Sequence, residues 1–304
     1  MKKVFVIIAA VIFSFGLIGC ESMGELAGGI AQAAGASDDQ VKAARAVGTG
    51  IATFAEAKKA ADALTPENEY YLGRAVAANI AGTYTIYRNS ALQTYLNKIC
   101  STLVINSPRP DIYNGYHVAI LNTDEINAFA TPGGHIFVTR GLIACAANED
   151  ALAAVIAHEI AHIQLQHALT SIRNARYVNA AVSGALAGYG EAAGGSIAEI
   201  TSIMGESVNE IITTLVVKGF SKKQELDADE TALSLLAKAG YQPSGLIEML
   251  TSLNQKQGSD KTKGFGKTHP TPNDRITAAK KVLTKFKVED TRSYRTKRFG
   301  TATG

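Results

Sequence analysis

HEIAHIQLQH, residues 158–167, sets two histidines four positions apart with a glutamate beside the first, and whether they hold a metal settles the architecture. On an α-helix each residue advances about 100°. With His158 at zero, His162 falls at about 40° and Glu159 at about 100°. All three adjoin the apolar arc of Leu152, Val155, Ile156 and Ile163. Two imidazoles so placed reach one ion while the carboxylate leans over its open side. That is the HExxH arrangement of two zinc ligands with a general base between them. A surface helix carrying two histidines satisfies the same pattern, so a third ligand has to be found. His167 lies at about 180° on the same wheel and points to the far side of the helix.

A His six residues after His162, with a Gly three residues after it, would mark the metzincins. Those positions hold Ala168 and Leu165, which excludes that class. The better source is SKKQELDADETALSLLAKAG, residues 221–240. There Glu225, Asp229, Ala232, Leu233 and Leu236 follow the spacing of one helix face, while Asp227 and Glu230 point elsewhere. Carboxylates that continue an apolar stripe are costly unless they are paired or bind metal. Glu225 as third ligand would offset that cost, with Asp229 one turn on accepting from a ligand imidazole N–H. The plain alternative is a helix end whose acids are solvated at the margin of the stripe.

HExxH followed at a distance by ExDAD (residues 225–229) resembles the gluzincin metallopeptidases of the prenyl-protease and HtpX type, peptidase family M48. The resemblance covers roughly residues 65–288 and extends to two further stretches. NAFATPGGHIFVTRGLI (127–143) is similar to the family's segment ahead of the metal helix, and HPTPNDR (269–275) to its HPxxxxR motif. The resemblance implies a predominantly helical α+β fold of zincin type, with one small β-sheet beside the HExxH helix. It implies one Zn²⁺ per chain, held by His158, His162 and Glu225, with Glu159 as the catalytic base. His269 is the family-suggested second donor to a developing oxyanion, or a cap on the metal in a resting state. Arg275 would brace the loop that carries it.

Ahead of the motif, YHVAIL (116–121) and HIFVT (135–139) are β-type runs, joined by NTDEINAFATPGG with Gly133-Gly134 as the turn. The second run, with Gly134, His135, Ile136, Phe137 and Val138, is expected as an exposed sheet edge to which an extended peptide adds as a strand. Backbone pairing of that kind tolerates many sequences and demands an unfolded substrate, which favours cleavage of misfolded or misassembled envelope proteins. The competing reading is a non-catalytic chaperone or assembly factor on the same scaffold.

Thr65-Pro66-Glu67 marks a helix start, and helical periodicity runs over 66–81 and 90–104, with a loop at 107–115. Asn148-Glu149-Asp150 opens the metal helix. Further helices are expected at 222–239, 244–255 and 273–286, and residues 289–304 as a polar tail. Residues 172–219 are apolar and Gly-rich. Their longest uncharged runs, 177–190 and 192–205, are 14 residues each, short of the about 20 that a span needs, so soluble helices or a flap are expected.

The start of the chain reads as an address. Lys2 and Lys3 precede an apolar run of 14 residues (4–17), which suits a secretory leader rather than a span. Leu17-Ile18-Gly19-Cys20 resembles a bacterial lipobox, so residues 1–19 are expected to be removed and Cys20 lipidated. The Ala/Gly-rich stretch 20–64 then serves as a tether. Glu21 after the Cys suggests the periplasmic side of the outer membrane, with outer-membrane assembly machinery as a further partner. In that oxidising compartment Cys100 and Cys145 form a disulfide or remain two buried thiols. The formal net charge is +3, which indicates no nucleic-acid partner.

Overall fold

A computed structural model of the chain describes residues 66–170, 208–256, 264–269 and 272–304, with scattered positions between 25 and 45. The expected leader and Cys20 lie outside the described residues, as do most of the tether and residues 171–207. Of the segment 172–219, residues 208–219 are described, and they end in a helical turn at Thr213–Lys218. Among the described residues no helix is long and apolar enough to cross a membrane. Chain contacts define two compact units, and the larger, Thr65–Ser171 with Ser202–Gly304, carries the sheet and the HEIAH helix.

The fold is α+β and predominantly helical. Its principal elements are α1 (Pro66–Thr83), α2 (Ser90–Ile105), β1 (His117–Leu121), β2 (Ala128–Ala130) and β3 (His135–Thr139), then α3 (Glu149–Gln164), α4 (Lys222–Lys238), α5 (Ser244–Lys256), α6 (Pro272–Leu283) and α7 (Arg292–Thr303). Local chemistry sets the helix ends. The Asn89 side chain accepts from Leu92 N to start α2, and Asn148 accepts from Ala151 N to start α3. Ser221 and Gln224 form a reciprocal capping box on α4, and Gly240 (φ +78°) stops the chain just beyond it.

Helix α3 is buried along almost its whole length, from Glu149 to Ile163. A helix covered all round has to sit at the centre of its domain, and α2, α4, α5 and the sheet all pack against it. This enclosure removes the surface-helix alternative for HEIAH.

The sheet corrects one expectation. Its strand order is β1-β3-β2, with β1 parallel and β2 antiparallel to β3. The run from Gly134 through His135, Ile136, Phe137 and Val138 is therefore central, not an edge. The cause is a strand too short to show alternation. Gly133 (φ +72°) and Gly134 (φ +98°) fold the chain back so that Ala128–Ala130 pairs with Ile136–Val138. Among the described residues β1 and β2, the latter Ala128–Ala130, are the outer strands instead.

The turn before β3 packs backbone against backbone on α1. A Cβ at Gly73 of α1 would lie 1.6 Å from the Pro132 carbonyl oxygen. No rotamer relieves a clash with main chain, so Gly73→Ala should cost about 3 kcal/mol or more. A thermal melt should fall by roughly 6–12 °C. Gly82→Ala on the same helix, with nothing within 4 Å of its Cβ, should leave the melt unchanged or raise it slightly.

Two further features refine the expectations. The polar residues 289–304 include α7, which docks on the first turn of α3. Arg295 reaches buried Asp150 through Nη2 (2.8 Å) and Nε (3.2 Å). Arg298 reaches buried Glu149 through Nε (2.6 Å) and Nη2, and Tyr95 and Tyr241 also donate to that carboxylate. Cys100 and Cys145 are both free and buried, so they are two core thiols and not a bridge. Cys145 Sγ donates to the Gly141 carbonyl (3.2 Å), and burial pushes the Cys100 thiol up to about 12.

Candidate metal centre

Four elements converge on one buried point. The second half of α3 brings His158, Glu159 and His162, the start of α4 brings Glu225 and Asp229, the short helix Phe265–Thr268 ends in His269, and α6 brings Arg275. All seven side chains are buried.

One donor atom each from His158, His162, Glu225 and His269 lies within 4.8 Å of the other three. His158 Nε2 is 3.0 Å from His162 Nε2 and 3.3 Å from His269 Nδ1. Glu225 Oε1 is 3.0 Å from His269 Nδ1 and 3.5 Å from His162 Nε2, and Glu225 Oε2 is 3.6 Å from His158 Nε2. Ligands at about 2.1 Å around a tetrahedral ion sit about 3.4 Å apart. The donor set therefore fits a small tetrahedral cation by type and by spacing.

A ring of supporting contacts fixes these donors. Asp229 Oδ1 lies 3.0 Å from His158 Nδ1. The same carboxylate receives Arg275 Nε and Nη2, both at 2.7 Å, while Arg275 Nη1 lies 2.8 Å from Glu225 Oε2. Arg275 thus holds two acids of α4 rather than a loop alone. Phe220 stacks on His162 (centroids 4.1 Å, 22°) and Phe265 on His269 (4.3 Å, 20°). The His269 segment is pinned to the sheet by Phe265 N donating to the Ile126 carbonyl (2.7 Å) and by Thr268 Oγ1 donating to Asn127 Oδ1 (3.2 Å).

Electrostatics divide the cluster. Burial opposes ionisation of Glu225, but His269, Arg275 and hydrogen bonds from His158 and His162 hold its carboxyl well below the usual range. Burial and the Arg275 charge push His158 down, yet Asp229 and Glu225 outweigh them and hold it at about 9. Burial drives His162 well below its ordinary value. Glu159 stands apart: neither carboxylate oxygen has a hydrogen-bond partner, and burial pushes its pKa up. A buried carboxylate that accepts no hydrogen bond and lies 3.7 Å from the His269 ring is placed to accept a proton.

The structure thus brings together His158, Glu159, His162, Glu225, Asp229, His269 and Arg275. It does not bring the run Gly134–Val138 to the cluster as an edge. A small cleft lined by Ala130, Thr131, Pro132, His162, Ile163 and Leu169 sets the end of β2 beside His162. The helical wheel misplaces one residue. Helix α3 stops at Gln164, and Gln166 adopts φ +54°, so His167 turns back until its Nδ1 lies 2.9 Å from His162 Nδ1. No Gly, Asn or Pro announces that stop, and a wheel drawn past it points the wrong way.

Comparison with known proteins is consistent with this centre. The model of Peptidase family M48 matches residues 90–283. The chain is 29% identical over 223 residues to a putative beta-barrel assembly-enhancing protease of Vibrio cholerae, covering 72% of this chain and 44% of that protein. It is 27% identical over 228 residues to the beta-barrel assembly-enhancing protease of Escherichia coli (73% and 45%). It is also 27% identical over 196 residues to the mitochondrial metalloendopeptidase OMA1 of Schizosaccharomyces pombe (64% and 54%). The chain spans about half the length of the curated relatives it matches.

Proposed function

The chain belongs to peptidase family M48, and on that footing we propose that it is a zinc-dependent endopeptidase that cleaves unfolded or misassembled envelope proteins. The observation that carries this reading is the meeting of four metal-donor atoms beside the Glu159 carboxylate, which accepts no hydrogen bond. His158, His162 and Glu225 would hold the ion. When bound, zinc supplies Lewis acidity that polarises a scissile carbonyl and acidifies water.

The chain's own groups do the rest. Glu159 takes the proton of the attacking water and passes it to the leaving amine. Asp229 orients the His158 ring, and Arg275 keeps Glu225 and Asp229 ionised and aimed. His269 serves as donor to the oxyanion in the working state or as a fourth donor at rest. An extended substrate would add along Ala128–Ala130, an outer strand of the sheet whose end lines the cleft beside His162, since backbone pairing tolerates many sequences. The lipobox and the names of the bacterial relatives support a place on the periplasmic side of the outer membrane, tethered through Cys20, close to assembly machinery.

Zinc content and casein cleavage test the proposal. The purified protein should carry about one zinc per chain, lose cleavage to a chelator and regain it with zinc. Glu225→Ala should lose both zinc and cleavage, and its metal-free melt should fall as well, because the substitution strips a buried carboxylate from Arg275. Purified wild type that is metal-free and inert, or a Glu225→Ala variant that holds zinc as tightly, would defeat the reading.

A further inference from the structure

We propose that His167 is a positioning residue for the metal centre: its Nδ1 accepts a hydrogen bond from His162 Nδ1–H and fixes the tautomer and ring plane of that ligand. This rests on the reading of His162 as a zinc ligand through Nε2.

A buried imidazole that gives one nitrogen to a cation carries its proton on the other, and that N–H needs an acceptor. For His158 the acceptor is Asp229, at 3.0 Å from Nδ1. For His162 the acceptor is His167, with the two Nδ1 atoms 2.9 Å apart and both residues buried. One of two facing Nδ1 atoms has to donate and the other accept. Ligation through His162 Nε2 decides which: His162 donates, and His167 is neutral with its proton on Nε2.

The local fold serves this placement. Gln166 holds an unfavourable φ of +54°, and its side chain donates to buried Glu69 at 3.1 Å. A left-handed non-Gly residue persists only where its surroundings impose it. Gln224, of the α4 capping box, donates to the His167 carbonyl (3.4 Å). Phe220 stacks on His162 and lies 5.9 Å from the His167 ring, so the two imidazoles share one aromatic wall. The choice of a neutral acceptor also fits the local charge. A divalent ion and Arg275 carry three positive charges; Glu159, Glu225 and Asp229 carry three negative ones. A carboxylate at position 167 would leave one buried negative charge unbalanced.

The test uses two substitutions of one shape. In His167→Asn the amide oxygen stands about where Nδ1 stood; in His167→Leu the shape is kept and the acceptor is lost. Zinc affinity of the full chain is read by competition with a chromophoric chelator, beside melts of the metal-free proteins. His167→Leu should bind zinc about 10–100-fold more weakly, and His167→Asn should recover most of that loss, with similar metal-free melts. In the zinc-loaded wild type, imidazole ¹⁵N spectra should show His167 protonated on Nε2. Equal zinc affinity of His167→Leu and wild type overturns the assignment, as does equal loss in both variants or a proton on His167 Nδ1. A wild type that binds no zinc defeats the proposed function itself, which separates the two failures.

Discussion

Glu159→Gln should bind zinc as the wild type does and cleave casein about a hundred to ten thousand times more slowly, the range that a positioned general base supplies. Glutamine matches glutamate in size, and Glu159 lies outside the set of four metal donors, so the centre should assemble unchanged. What disappears is the proton acceptor. Both Glu159 oxygens are buried without hydrogen-bond partners, and burial raises their affinity for a proton. His269 Nε2 lies 3.7 Å from Glu159 Oε1, and in the proposed mechanism it serves as a donor rather than a base. Zinc content and initial rates measured together decide the matter. Undiminished proteolysis by this variant would end the mechanism. Full rescue of a deletion strain by it would favour a chaperone role on the same scaffold.

Arg275→Leu should destabilise the protein by about 3–5 kcal/mol, the usual cost of stripping one partner from a buried charge pair. Arg275 is fully buried and lies within 2.8 Å of two carboxylates, Glu225 and Asp229. Leucine fills part of the space and leaves both acids without their cation. For a unit of this size the melting temperature should drop by on the order of 10 °C. Arg275→Lys keeps the charge and loses the two-pronged contact with Asp229, so it should fall between. Combining Arg275→Leu with Asp229→Asn should recover part of the loss, because the pair is coupled. A melt of Arg275→Leu within about 2 °C of wild type would show that the guanidinium is dispensable to the fold.

Much of the centre is legible in the sequence because helical periodicity exposes a conflict. His158, Glu159 and His162 border an apolar arc, and Glu225 and Asp229 sit on an apolar stripe where acids need a reason to be. The longer helices are legible for the same reason, since caps such as Asn148 and stops such as Gly240 leave local marks. Three features leave none. Strand β2 spans three residues, Ala128–Ala130, too few for alternation, so β3 looks like an edge when it is central. The end of α3 depends on Gln166 in a left-handed conformation that its residue type does not suggest, which sends His167 to the wrong side of the wheel. The docking of α7 depends on Arg295 and Arg298 finding Asp150 and Glu149, more than 140 positions away, and no periodic pattern encodes such a partner.

The seam between α1 and the turn at Pro132–Gly134 has a mechanical consequence. Main chain meets main chain there in both directions, since a Cβ at Gly133 would lie 2.5 Å from Tyr70 Cα just as one at Gly73 would strike Pro132. At these two points backbone packs directly on backbone. Tension on the chain ahead of Pro66 would pass along one stiff strut into the hairpin that carries β2 and β3, and a force applied there would tug on the cleft wall beside His162.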